Sequence, residues 1–281
     1  MPLVPTGSVV AAAAAAGRAV GALNVITLEH AEAIVAGAEQ AGLPVILQVS
    51  QNAVRFHGGQ LAPVTAAARA VAELAAVDVA LHLDHVDDAE LVRRAAAAGY
   101  GSVMVDASAL DYAGNVETTA LLTAELHAQG LWVEAELGEV GGKDGAHAPG
   151  VRTDPGDAAR FVAATGVDAL AVAVGSSHAM TERTARLDVD LIAALRAAVP
   201  VPLVLHGSSG VPDDELRRAV HAGIVKVNIG TALNIAFTEA VRAALHDGAL
   251  VDPRRYLSPA RTDMAEAVAA ALLLLATVQD A

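Results

Sequence analysis

The chain contains no cysteine. That absence excludes disulfides, thiolate zinc sites and a cysteine nucleophile, and it suits a reducing compartment, so a cytoplasmic location is expected. Lysine is nearly as scarce, with only Lys143 and Lys226 among 281 residues. Against 32 Asp and Glu stand 18 Lys and Arg, a formal net charge of −14. This argues against nucleic acid or an anionic membrane as a partner, because both select basic patches. An anionic ligand must instead be held locally, by backbone amides and a few arginines. Aromatic residues make up 2% of a chain that is 54% hydrophobic, so the core is built mainly of Ala, Val and Leu. Long apolar runs are also missing. The run at 9–16 has no Lys or Arg before it and Arg18 soon after, and reads as a surface helix covering one end of the fold rather than as a leader. The run at 265–278 carries Glu266, is too short for a membrane span, and reads as a docked C-terminal helix.

What is present is a recurrence. Short β-type runs at 20–26, 44–50, 77–85, 102–108, 132–138, 169–175, 202–207 and 224–230 alternate with helical patterns at 28–41, 63–74, 88–98, 114–129, 157–165, 188–199 and 212–222. Gly42, Gly99, Gly130, Gly166 and Gly223 follow helices as C-terminal caps. Near-continuous apolar strands between helices imply a parallel sheet covered by helices. Eight such units imply a closed (β/α)8 barrel, taken as one α/β domain over residues 1–281 with an extra N-terminal helix and a C-terminal helical extension. An open doubly wound sheet is the alternative, but its Gly-x-Gly-x-x-Gly turn is absent after the first strand, where the chain reads Thr27-Leu28-Glu29.

In a barrel, active residues gather at the C-terminal strand ends. The polar residues at those ends are Ser50, Asp84, His85, Asp106, Glu136, Gly175 with His178, His206, and Asn228 with Gly230 and Thr231. His85, His178 and His206, from strands three, six and seven, suit a catalytic zinc ion with an open coordination position. Asp106 and Glu136, on strands four and five, can take the ion in a second position or orient the ligand imidazoles from behind. Asp84 is the candidate general acid and base. Adjacent strand residues point to opposite faces, so Asp84 and His85 share the interior only if the strand departs from regular geometry at its end. His206-Gly207-Ser208-Ser209-Gly210 and Asn228-Ile229-Gly230-Thr231 follow strands seven and eight, where barrels hold phosphate on backbone amides. Lys226 shares the facing of Asn228. It is either a Schiff-base nucleophile or one half of a buried ion pair with Glu134. His82 reads as a core residue, and the remaining histidines fall on helices or loops. The stretch from Gly138 to Gly145, with Lys143 and Asp144, reads as a loop over the site.

At these residues the chain resembles the class II, metal-dependent ketose-bisphosphate aldolases. The resemblance rests on Gly21-Ala22-Leu23-Asn24-Val25, Leu83-Asp84-His85, Val105-Asp106-Ala107-Ser108, Val133-Glu134-Ala135-Glu136-Leu137-Gly138, Ala173-Val174-Gly175-Ser176-Ser177-His178, Leu205-His206-Gly207-Ser208-Ser209-Gly210, Lys226-Val227-Asn228-Ile229-Gly230-Thr231 and Asp252-Pro253-Arg254-Arg255-Tyr256-Leu257. It implies reversible cleavage of fructose or tagatose 1,6-bisphosphate to dihydroxyacetone phosphate and glyceraldehyde 3-phosphate. His85, His178 and His206 would hold Zn2+, with Glu136 and Asp106 near an alternative position for the divalent ion. Asp84 would move the C4 hydroxyl proton, and Asn228 would orient the enediolate. Gly175, Gly207, Ser209, Gly230 and Thr231 would hold its phosphate, with a monovalent cation nearby. Arg254 or Arg255 would reach the second phosphate across a contact in a homo-oligomer, a dimer or tetramer. The chain departs from the pattern at His178-Ala179-Met180-Thr181, where a Gly and a nearby Lys are usual, at Ala109, where a His is common, and at Lys143-Asp144, where paired acids are usual.

Overall fold

The structure, a computed structural model, describes residues 2–137, 151–178, 180–246 and 248–277. Strands β1 (Val20–Asn24), β2 (Val45–Ser50), β3 (Val79–Val86), β4 (Ser102–Val105), β5 (Trp132–Glu136), β6 (Ala169–Ala171), β7 (Leu203–Leu205) and β8 (Ile224–Ile229) close into a barrel in sequence order. All neighbours are parallel, including β1 with β8. The expected (β/α)8 barrel is therefore what the chain forms, and the open sheet is not.

Helix α1 (Thr6–Ala15) precedes the barrel. Around the strands run α2 (Leu28–Ala41), α4 (Leu61–Leu74), α5 (Ala89–Ala98), α6 (Tyr112–His127), α7 (Pro155–Thr165), α8 (Val189–Ala198), α9 (Asp213–Ala222) and α10 (Thr231–Ala244), with a short α3 (Gln51–Phe56) after β2 and a long α11 (Pro253–Leu275) at the end. All five glycines expected as helix caps have positive φ. The short helix α3 was not anticipated. It starts where the Ser50 side chain accepts a hydrogen bond from the Ala53 N–H at 3.1 Å, a local cap that turns the chain as it leaves β2. The last helix begins well before the apolar run at 265–278, because Asp252 caps it and Pro253 sits in its first turn, where a missing N–H costs nothing. Several strands are shorter than their apolar runs. After Ala171, for example, the chain leaves the ladder for the rim.

Two cores result. The larger lies between sheet and helices and takes the outward residues of the strands, such as Leu23, Leu47, Leu83, Val103, Val133 and Val227. Inside the barrel, α1 plugs the N-terminal end. Val9, Val10 and Ala13 pack there on Val20, Ala22, Ile46, Ala80 and Val225. A second interior cluster, Met104, Ala169, Ala171 and Val204, lies apart from the first. Buried polar residues share that interior, namely Ser102, His82, Glu134 and Lys226. No helix among the described residues is long and apolar enough to cross a membrane.

The C-terminal helix is docked tightly. A Cβ added at Gly37 of α2 would fall 2.4 Å from the Ala265 carbonyl oxygen and 2.6 Å from Val268 Cβ. Backbone on one side leaves nothing flexible to yield. Gly37→Val is therefore expected to lower the free energy of unfolding by about 1–3 kcal/mol, the usual cost of overpacking, as read by urea denaturation.

Candidate active site

The site begins with an irregularity in β3. In its ladder with β4, Leu83 pairs Val103 and Val86 pairs Val105, so Asp84 and His85 together oppose the single residue Met104. This is a β-bulge, which re-aims a side chain by adding one residue to one strand. His85 has φ +48°, and no other non-glycine residue among those described has positive φ. Leu83 and Val86 both face the outer core, and the two residues between them both turn to the barrel mouth. Strict alternation would have sent one of them outward.

His178 and His206 are brought to His85 by two loops that approach closely. Gly207, with φ +66°, would place a Cβ 2.5 Å from the Ser177 carbonyl carbon. Gly175, with φ +121°, would place one 2.3 Å from the Arg186 carbonyl oxygen. Gly207 lets the loop after β7 pass this near the loop after β6, and Gly175 lets the loop after β6 fold back on itself. The three rings then meet edge to face. Their centroids are 4.6 Å apart for His85 and His206, 5.1 Å for His85 and His178, and 5.7 Å for His178 and His206. One ring nitrogen of each lies within 4.8 Å of the others.

The hydrogen bonds decide what this cluster can hold. His85 Nδ1 lies 2.7 Å from Asp106 Oδ2, and His206 Nε2 lies 2.9 Å from Glu134 Oε1. A carboxylate oxygen only accepts, so each of these nitrogens carries the proton. The opposite nitrogens, His85 Nε2 and His206 Nδ1, then present lone pairs to each other at 2.8 Å. Two facing lone pairs repel unless a cation lies between them. The donor set therefore fits a divalent metal whose imidazole ligands are oriented by carboxylates from behind. Asp106 is itself fixed, accepting from the Ser108 hydroxyl at 2.6 Å. His85, Asp106 and Glu136 form a second group with donor atoms within 4.8 Å of one another. Burial lowers the pKa of His206 against the opposing pull of its hydrogen bond to Glu134, which keeps it in the neutral form a metal needs.

Beneath the imidazoles lies a buried ion pair. Lys226 Nζ stands 2.8 Å from Glu134 Oε2 and donates to Asn228 Oδ1 at 2.7 Å, with Lys226 and Glu134 fully buried. The ion-pair reading of Lys226 holds, and its ammonium is committed. Burial alone would raise the Glu134 carboxyl, but Lys226 and the His206 N–H outweigh it and hold the group at about 2. Burial would raise Asp84 too. The imidazoles of His85, His82 and His206 reverse that and pull Asp84 well below the usual carboxylate range. Asp84 is thus an ionised base at neutral pH, and Asn228 Nδ2 lies 3.4 Å from its Oδ1.

Above these residues opens a cavity of about 550 Å³. Asp84, His85, His178 and Asn228 form its floor, and Ser50, Gly207, Ser208, Ser209, Gly230 and Thr231 line its walls. The wall after β7 is tied to the wall after β8, since Ser208 Oγ donates to the Asn228 carbonyl at 2.6 Å and Ser209 Oγ accepts from the Ala232 N–H at 3.0 Å. Gly175 stands behind this wall rather than in it. Glu136 and Asp106 are buried beside His85 outside the cavity lining. Arg254 and Arg255 are not brought to the cavity by the fold of this chain. Both lie in the first turn of α11, where Arg254 pairs with Asp252 at 2.8 Å. Residues 138–150, including Lys143 and Asp144, lie outside those described.

Sequence reasoning missed Asn24, Gln48, Gln51, Arg55 and Asn234, all of which line the cavity. Strand parity could have found Gln48, two residues before Ser50 on the same face. Arg55 is reached only through α3, and it is the one Lys or Arg among the described residues that line the cavity.

A closed (β/α)8 barrel with a three-histidine centre, an ionised aspartate and a hydroxyl-rich wall at its C-terminal rim defines a class of metal-assisted barrel enzymes. The family is shown by comparison. The model of the family "Fructose-bisphosphate aldolase class-II" matches residues 4–279. A fructose-bisphosphate aldolase of Staphylococcus epidermidis is 38% identical over 272 residues, covering 95% of each chain. One from Geobacillus stearothermophilus is 40% identical over 247 residues, 86% of each. Among solved structures, the YdjI aldolase of Escherichia coli K12 superposes with a TM-score of 0.84 at 31% identity, covering 97% of both chains. The chain belongs to the class II fructose-bisphosphate aldolase family, and with it to the metal-dependent aldolases, lyases that break and make a carbon–carbon bond.

Lys226 provides a test of this arrangement. Lys226→Met leaves Glu134 buried without its cation, and is expected to lower stability by about 3–5 kcal/mol in urea unfolding. A variant as stable as the parent would show that the pair does not hold the barrel interior together.

Proposed function

We propose that the chain is a zinc-dependent lyase that reversibly splits a ketose 1,6-bisphosphate, fructose or tagatose, into dihydroxyacetone phosphate and glyceraldehyde 3-phosphate. The reading is carried by one observation: three imidazoles within ligand reach of one another, two of them with facing lone pairs, lie with an ionised aspartate and a hydroxyl-rich rim wall at the floor and side of a single cavity. His85, His178 and His206 hold the zinc, and Glu136 with Asp106 marks its alternative position. Bound there, zinc supplies Lewis-acid stabilisation of the negative charge that develops on the three-carbon half.

The chain's own residues do the rest. Asp84 removes the proton from the C4 hydroxyl. The C4–O bond becomes a carbonyl as the C3–C4 bond breaks, and the electron pair stays with the C1–C3 fragment. In the reverse direction Asp84 returns the proton to the aldehyde oxygen. Asn228, its carboxamide fixed by Lys226, orients the enediolate. The first phosphate rests on the loop Gly207–Ser209 and on Gly230 and Thr231, at the N-terminus of α10, where helix N–H groups favour an anion. A monovalent cation sits alongside that phosphate, and Gly175 keeps the loop after β6 folded against Arg186. The second phosphate lies towards Ser50 and Arg55, the guanidinium that one chain brings to the cavity. Arg254 or Arg255 joins it only across a contact in a homo-oligomer. A Schiff base on Lys226 is not favoured, because its amine is held by Glu134 and Asn228.

The experiment is cleavage of both C4-epimeric bisphosphates before and after metal removal. Zinc-loaded protein is expected to turn over at least one epimer, and exhaustive chelation to abolish activity until zinc is returned. Full activity in metal-free protein would overturn the proposal. Asp84→Asn is expected to lower kcat by about 10²–10⁴-fold with folding intact. Arg55→Gln is expected to raise KM for the bisphosphate while leaving that for the corresponding 1-phosphate unchanged.

A further inference from the structure

One buried histidine is not used by this chemistry. His82 is fully buried and precedes Asp84 by two residues on the inner face of β3. Its Nδ1 lies 2.8 Å from Ser102 Oγ, and Ser102 Oγ lies 2.6 Å from Thr6 Oγ1 in the first turn of α1. All three side chains are buried. On the other side of the ring, Nε2 has no hydrogen-bond partner. The polar atoms it faces are carboxylate oxygens, Asp84 Oδ1 at 3.7 Å and Glu134 Oε2 at 3.9 Å.

Burial, reinforced by the nearby Lys226 ammonium, lowers the pKa of His82, so the ring is neutral and carries a single proton. Either nitrogen can carry it. If Nδ1 did, a bare lone pair would face two carboxylates in a dry interior, a repulsive arrangement with no donor to relieve it. If Nε2 does, an N–H points at the carboxylates, and Nδ1 accepts from the Ser102 hydroxyl. That hydroxyl has one proton to give, so Ser102 must in turn accept from Thr6. The alternative acceptor for either hydroxyl, the Leu81 carbonyl, is more distant, at 3.4 and 3.5 Å.

We propose that His82 is a positioning residue for Asp84, fixed in the Nε2–H form by a hydroxyl relay that runs from Thr6 through Ser102. The relay connects the helix plugging one end of the barrel to the base at the other. At 3.7 Å the N–H is aimed at Asp84 rather than bonded to it, and a modest rotation of the carboxylate closes the gap. Asn228 Nδ2 approaches the same oxygen, Oδ1. Two donors on Oδ1 leave Oδ2 as the oxygen that meets the substrate hydroxyl. The proposal rests on the reading of Asp84 as the proton-transfer group.

The test is the tautomer of His82 in zinc-loaded protein labelled with 15N-histidine, its signals assigned by their loss in His82→Gln. Parent protein is expected to show Nε2–H. Ser102→Ala, and Thr6→Val at the outer end of the relay, leave the carboxylates that select Nε2–H but loosen the ring at Nδ1, and are expected to keep the tautomer and to lower kcat with KM little changed. The drop in kcat is expected to be on the order of 10- to 100-fold for Ser102→Ala, as for a misplaced catalytic group. His82→Gln, whose amide N–H reaches the Nε2 position, is expected to retain more kcat than His82→Asn, which reaches only the Nδ1 position. An Nδ1–H tautomer in the parent, or unchanged kcat in Ser102→Ala, would overturn the proposal. The tautomer is read without substrate, so a failure of the assigned reaction looks different: Nε2–H on His82 in a protein that cleaves neither epimer.

Discussion

The site depends on one extra residue in β3. The bulge opposite Met104 lets Asp84 and His85 turn to the same side, and His85 takes a left-handed backbone conformation to do so. Such a conformation costs a non-glycine residue on the order of 1–3 kcal/mol and persists only where its surroundings impose it. Here Leu83 and Val86 clamp the strand on either side, both buried in the core between sheet and helices. The ring of His85 is pulled in by Asp106. Without the bulge only one of Asp84 and His85 would face the barrel mouth.

The barrel interior serves the same end. Interiors of this fold are usually filled by branched apolar side chains. This one has small apolar clusters and, among them, a polar column of Ser102, His82, Glu134 and Lys226 rising to Asp84, Asn228 and His206. Lys226 sets the Asn228 carboxamide, and Glu134 sets the protonated nitrogen of His206. A charged pair in such a place is a poor source of stability compared with apolar packing, because desolvation opposes its attraction. Its use here is to fix geometry at the rim. The cavity matches the acidic net charge, for its described lining offers hydroxyls, carboxamides and one guanidinium rather than a basic field.

Much of this was legible in the sequence. Alternating strand and helix patterns implied the barrel, and polar residues at strand ends marked the rim. Lys226, Asn228 and Glu134 could be paired by parity alone, because regular strands keep their facing. Parity failed at Asp84 and His85, where a bulge leaves no trace in composition and shows only in the pairing with β4. It also offered nothing for Arg55, which reaches the cavity from a six-residue helix whose cap, Ser50, looks in sequence like the last residue of a strand. Arg254 and Arg255 were expected at the site through a contact between chains, and the fold of a single chain leaves them at the start of α11.

The central claim, that three imidazoles from separate strands share one ion, is tested most directly by X-ray absorption at the zinc edge of the metal-loaded protein. The account predicts three histidine nitrogens at about 2.0–2.1 Å with one oxygen ligand completing the shell. A spectrum dominated by oxygen ligands, with one imidazole or none, would contradict it.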